Sequence, residues 1–252
     1  VDATRKHMTV RNSLETLSTM PRAKQNLYGQ EMGNKGLLTR TRILNATAEL
    51  MQRRPLRELR VAEIGSLASV SSSTFYLYFE SVGEAGLAVV EELNQATPEL
   101  MKLLESEWTR ENVFAKARAF VQTYISFWDR HHAILRVRNF IADEGDKRFF
   151  DARRKSVEPI HFALQAKIAA FQPKGPDGDL LDPASTTSIV LAMIERTASI
   201  IRLPSAHKAT RPRQIQASAF LVAAAMIGLS QLDSGEDDGA FHKEQQSQSL
   251  PI

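Results

Sequence analysis

Apolar residues recur at three- and four-residue steps along most of this chain, the spacing that gathers them on one face of an α-helix. Ile43, Leu44, Thr47, Leu50 and Met51 mark a helix over residues 39–53, which Arg53-Arg54-Pro55 stops because proline cannot continue the backbone ladder. Val61, Ile64, Leu67 and Ala68 mark a second. Leu87, Val90 and Leu93 stripe a helix over 84–94, and Thr97-Pro98 opens another that runs to about Trp108. Phe114, Ala117, Val121, Tyr124, Ile125 and Trp128 point inward from a helix over 111–130, followed by a shorter one over 133–141. A long helix over 146–171 carries Pro159 and is expected to kink there. Residues 172–182 hold two prolines and two glycines and read as a loop. Asp182-Pro183 opens a helix with Ile189, Leu191, Met193, Ile194, Ala198 and Ile201, ended by Pro204, and residues 210–232 make the last. No segment alternates convincingly as a strand, so the expected fold is all-α.

The rest of the chain is organised around residues 61–79. Ser69-Val70-Ser71 interrupts the helical pattern, and Ser71 can accept a hydrogen bond from a free N–H two or three residues on, capping a second helix through Thr74, Tyr76 and Tyr78. A helix, a tight turn and a helix result. Val70, Phe75 and Phe79 are expected inward, and Ser72, Ser73, Thr74, Tyr76 and Tyr78 outward. A face of hydroxyls and tyrosines behind a capped helix N-terminus suits DNA, because hydroxyls reach phosphates and base edges and aromatic rings lie along the sugar backbone. Ser72, Ser73, Thr74 and Tyr76 are the candidates for base-proximal contacts, and Arg60, Ser71 and Tyr78 for phosphates.

Arg42-Ile43-Leu44, Ala46, Glu49-Leu50, Val61, Glu63-Ile64, Val70-Ser71, Thr74-Phe75-Tyr76 and Tyr78-Phe79 together resemble the DNA-binding domain of tetracycline-repressor (TetR) family regulators, over residues 39–87. The resemblance implies an N-terminal three-helix helix-turn-helix domain (39–82) and a C-terminal helical effector-binding and dimerisation domain (83–232). It further implies a homodimer through the last two helices, released from a double-stranded, near-palindromic DNA operator by a small effector. Three features depart from the family pattern: Val82 stands where a phosphate-binding lysine is common, Ser69 and Ser73 where glycines are usual, and Pro55 replaces another glycine.

Charge adds a modest bias. Residues 1–38 hold six Lys/Arg against three Asp/Glu and read as a mobile basic arm; residues 233–252 hold one against five and read as an acidic, disordered tail. Cysteine is absent, which removes disulfides and thiolate chemistry and fits a reducing cytoplasm. The longest apolar run, 219–229, has 11 residues, far fewer than the roughly 20 that cross a bilayer.

Catalysis finds little support. None of the six histidines has a metal-ligand spacing, and neither a glycine-rich phosphate loop nor a nucleophile elbow occurs, so no enzyme activity, metal or cofactor is expected. A pocket for a small hydrophobic effector fits better: Phe120, Tyr124, Phe127, Trp128, Leu135, Phe140, Phe162, Ile194 and Ile201 supply apolar walls, and Arg136, Arg138, Asn139, Glu195 and Arg196 polar anchors. Tyr124, Phe127, Trp128, Arg136, Asn139, Phe162 and Glu195 are the leading candidates. Two other classes stay open: a helix-turn-helix protein-interaction module without DNA binding, and an all-helical enzyme with a hydrophobic pocket.

Overall fold

The computed structural model describes residues 25–93, 97–171, 174–175, 178–179, 182–202 and 210–227. The chain before residue 25, Pro204, residues 228–232 of the expected last helix and the acidic tail lie outside them. Helices dominate: α1 (Asn34–Met51), a 3-10 turn (Leu56–Glu58), α2 (Val61–Ala68), α3 (Ser72–Tyr76) and α4 (Val82–Leu93), then α5 (Pro98–Glu105), α6 (Val113–Asp143), α7 (Lys147–Phe171), α8 (Pro183–Ile200) and α9 (Arg211–Ile227).

α1 backs the two short helices that follow. Its Ile43, Leu44 and Ala48 meet Ile64, Phe75 and Phe79 in one buried cluster; burying a ring such as Phe75, fully out of solvent, contributes roughly 1.5–3 kcal/mol. α4 leaves this small domain and packs on both α1 and the 3-10 turn. Gly86 permits the second contact: a Cβ there would lie 2.5 Å from a Leu56 methyl. Beyond α4, helix α6 runs through the middle of the larger domain, flanked by α7, α8 and α9, with Phe120, Tyr124, Ile125, Trp128, Ile134 and Leu135 buried along it.

Several elements differ from the periodicity reading, each for a local reason. α1 begins at Asn34, five residues early, because its first turn is solvated: Leu38 is 58% exposed and contributes no buried stripe. Residues 25–38, expected within a mobile arm, therefore hold a turn and the start of a helix. α5 ends at Glu105, and Trp108 instead donates its indole N–H to the Leu103 carbonyl at 2.9 Å. The helices expected over 111–130 and 133–141 are the two arms of α6, which meet without a loop at a kink where His131 takes a non-helical backbone (φ −119°, ψ 15°). α7, by contrast, is the single long helix expected over 146–171, with Pro159 inside it. The loop after it carries a two-residue antiparallel ladder, Lys174–Gly175 against Gly178–Asp179. In α2, Leu67 is 44% exposed and Gly65 takes the buried position; in α8, Ile189 is 70% exposed, off the buried stripe of Val190, Leu191, Ile194 and Ala198.

Candidate nucleic-acid interface and effector-domain core

The turn between α2 and α3 sets how α3 is presented. Ser69 adopts the left-handed conformation (φ 55°) that ends α2, and the Val70 N–H returns to the Gly65 carbonyl at 2.9 Å. A Cβ on Gly65 would sit 2.8 Å from the Val70 carbonyl oxygen, so this crossing needs glycine. Ser71 Oγ accepts the Thr74 N–H at 3.0 Å and lies 2.9 Å from Thr74 Oγ1, fixing the first turn of α3. Glu63 does the same for α2: it accepts the Arg60 N–H at 3.1 Å and the Arg54 guanidinium at 2.8 Å, which holds its carboxyl below the usual carboxylate range.

α3 is thereby pinned by one inward ring. Phe75 is fully buried, Tyr76 stands edge-on to it with centroids 5.6 Å apart and is 47% exposed, and Ser72 and Ser73 are exposed. Thr74 and Tyr78 are half-buried; the Tyr78 hydroxyl lies beside Gly36 in the first turn of α1. The fold therefore collects Ser71, Ser72, Ser73 and Tyr76 on one outward surface, with Ser71 and Thr74 already bonded to each other. Arg60 is exposed at the start of α2. Leu77, 43% exposed just past α3, was not anticipated.

The candidate effector residues divide into two groups. Tyr124, Phe127 and Trp128 are buried in α6, with Asn139 and Glu195 close to the same interior. Arg136 is exposed, Phe162 is 62% exposed and Phe140 53% exposed, so none of these three faces that interior. Spacing carries the reason. The buried residues of α7 are Phe149, Ala152, Ser156, Ile160, Leu164 and Ile168, and Phe162 falls two places off that stripe. Ile134, Leu135, Arg138 and Ala142 define the inner face of late α6, which puts Arg138 inside and Arg136 out.

Arg138 is the centre of a buried polar cluster joining three helices. Its guanidinium donates to Glu195 at 3.1 Å, to Ser156 Oγ at 2.8 Å and to Asn139 Oδ1 at 2.9 Å. Glu195 also accepts from Asn139 at 2.9 Å and Arg153 at 2.8 Å. Burial opposes the charge of Glu195, but the Asn139 bond and the arginines outweigh it and keep the carboxyl below its ordinary range. Burial likewise pushes the Tyr124 phenol far up and lowers Arg138. Arg153 and Ser156 were not among the sequence candidates; a serine on the apolar stripe of α7 was the available signal. At the α6 bend, His131 is 4% exposed, lies tilted against Phe127 with ring centroids 5.0 Å apart and leaves Nδ1 without a hydrogen bond among the described residues. Burial, with the Arg130 charge, drives its pKa down to about 4.

Three contacts tie the small domain to the large one or to α4. Arg40 of α1 pairs with Glu92 of α4 at 2.6 Å, Arg148 at the start of α7 pairs with Glu84 of α4, and the Arg57 guanidinium lies 5.8 Å from the Phe140 ring near the end of α6. Open grooves of about 480 Å3 (Glu99, Gln122, Thr123, Ser126, Asp129, Arg130) and about 510 Å3 (Leu50, Arg53, Ala62, Glu63, Ser66, Leu67) lie on the surface, apart from the aromatic interior. Among the described residues no group of three His, Asp or Glu side chains could hold a metal ion, and no helix is long and apolar enough to cross a membrane.

A three-helix head with a capped, hydroxyl-bearing third helix, joined by α4 to a helical body, defines the helix-turn-helix regulator class. The profile of bacterial regulatory proteins of the tetR family matches residues 43–81, and that of the tetracyclin repressor-like C-terminal domain matches residues 100–230. The second alone covers more than half of the chain, and the protein belongs to the TetR family of transcriptional regulators. An uncharacterized HTH-type transcriptional regulator of Bacillus subtilis, YdgC, is 24% identical over 166 residues, spanning 65% of this chain and 81% of that protein. Two solved structures share the fold: FadR from Bacillus halodurans, a fatty acid degradation regulator (TM-score 0.57, 14% identity, 79% of this chain and 98% of that one), and FadR from B. subtilis in complex with stearoyl-CoA (0.56, 15%, 75% and 98%).

Proposed function

We propose that this regulator is a homodimeric repressor that reads a near-palindromic operator with α3 of each subunit and leaves it when a small hydrophobic effector enters the α6–α8 interior. The observation that carries the reading is the surface of α3: Ser72, Ser73 and Tyr76 are exposed around a helix whose single buried ring, Phe75, fixes its orientation. Ser72, Ser73, Thr74 and Tyr76 meet base edges, and Arg60, Ser71 and Tyr78 meet phosphates. Exposed Ile189 on α8 and the adjacent exposed pair Phe220 and Leu221 on α9 support pairing through these helices, which would take that apolar surface out of water. Two-fold pairing sets the readers about one helical turn of DNA apart.

Tyr124, Phe127 and Trp128 support an apolar effector, and so does the stearoyl-CoA held by the B. subtilis neighbour. Because these rings are packed, an effector enters by parting α6 from α8, beside the Arg138–Glu195 cluster. The pairs Arg148–Glu84 and Arg57–Phe140 then carry the displacement to α4 and the reader, and the coupling is reciprocal: DNA weakens effector binding by the same factor. Selection of bound duplexes from a random pool, followed by a screen of acyl and other apolar compounds for release, tests the reading. A two-fold symmetric consensus is expected; recovery of no consensus by a folded dimer rejects it.

A further inference from the structure

The residues preceding α1 form a built turn that serves no evident core. Asn26 Oδ1 accepts the N–H groups of Tyr28 and Gln30, each at 3.0 Å, and its Nδ2 donates to Gln30 Oε1 at 2.9 Å. Gly29 supplies the positive φ of 74° that closes the turn, and Gln25 and Glu31 pair across its base. The turn is attached to the reader: the Leu27 N–H donates to the carbonyl of Leu77, one residue past α3, at 3.2 Å. Met32 then packs on Gly36, where the Tyr78 hydroxyl also lies.

This order is spent on presenting, not burying, side chains. Tyr28 is 70% exposed and Leu27 45%, and through the Leu27–Leu77 bond they extend the exposed surface of Tyr76 and Leu77. Continuity with that surface favours one occupant over a protein partner: the duplex that α3 reads. Charge agrees, because residues 1–24 carry five Lys/Arg against two Asp/Glu and Glu31 is the one acidic residue of the turn. We propose that the 25–31 turn is a second DNA-contacting element, lying on the duplex just beyond the base pairs under α3, with the Tyr28 ring and hydroxyl against the sugar-phosphate backbone. The inference rests on the reading of α3 as the DNA-facing helix.

The test uses the full chain and a duplex recovered by selection. Tyr28→Ala is expected to weaken binding about tenfold, the equivalent of one good contact, and to shorten the protected footprint at both outer edges while thermal unfolding stays at the wild-type temperature. Asn26→Ala, which loosens the turn without removing the ring, is expected to shift affinity in the same direction by a smaller factor. A benzophenone side chain in place of Tyr28 is expected to crosslink to the flanking DNA. Wild-type affinity and footprint for Tyr28→Ala, with no crosslink, overturn this inference alone. A chain that selects no duplex overturns the α3 reading and takes the inference with it.

Discussion

The two domains place their polar chemistry in opposite ways. The head buries few polar groups, namely the α1 threonines Thr39 and Thr47, whose hydroxyls return to carbonyls one turn back, the Asn45 side-chain carbonyl oxygen and the Arg40 side chain where it meets Glu92, and it sets Ser71, Ser72, Ser73 and Tyr76 outward from an otherwise apolar core. The body buries an arginine, a histidine and a nearly enclosed glutamate between helices. A reader of a hydrated polyanion has to keep its hydroxyls at the surface and needs the core only for rigidity. A domain that changes packing benefits from an interior whose bonds are specific and costly to leave half-made.

Breaking the buried cluster should give the largest effect. Glu195→Ala leaves Arg138 and Arg153 without their shared acceptor, and unfolding in urea should show a loss of about 3–5 kcal/mol. A loss under about 1 kcal/mol would mean that the cluster behaves as a surface pair. His131 sharpens the same contrast through pH. Its folded pKa, about 4, lies below the ordinary 6.5, so the neutral ring's contribution is complete above pH 6.5 and is lost as the pH falls toward 4. Over that interval wild type should lose up to roughly 3 kcal/mol more stability than His131→Leu; parallel curves would show that the ring does not titrate differently on folding.

In the head the effects should appear in binding rather than folding. Tyr76→Ala should cost roughly 1–3 kcal/mol on the selected duplex with helical content unchanged, and unaltered gel-shift affinity would remove Tyr76 from the interface. The smallest effect should be a gain: Ser69→Gly relieves a left-handed serine and should stabilise the chain by about 0.5–1 kcal/mol, read as a rise in melting temperature. No rise would indicate that the surrounding turn already compensates the strain.

The same contrast explains what could be read in advance. Local rules govern the head: the Ser71 cap, the Phe75 and Phe79 anchors and the departure from glycine at Ser69 each concern a few neighbouring residues, and the left-handed φ of Ser69 supplies the physical reason why glycine is usual there. The body depends on which sector of each long helix meets which neighbour. Residue type suggested Arg136 and Phe162 for the interior, whereas the helical stripe excludes both. The partners of Glu195 come from positions 42 to 57 residues away in sequence, which no local pattern connects. His131 was visible only as a break between two expected helices, because a bend and a loop interrupt periodicity alike.

That bend gives α6 the form of a crank. Twelve residues separate His131 from Asp143, an arm of roughly 18 Å at the helical rise, so a swing of about 10° at the bend would carry its tip roughly 3 Å. Phe140 rides near that tip against Arg57, in the 3-10 turn that precedes α2. On the proposed effector reading, a small motion beside Tyr124 would thus be geared up to a step comparable to the distance over which a hydrogen bond to DNA is made or lost.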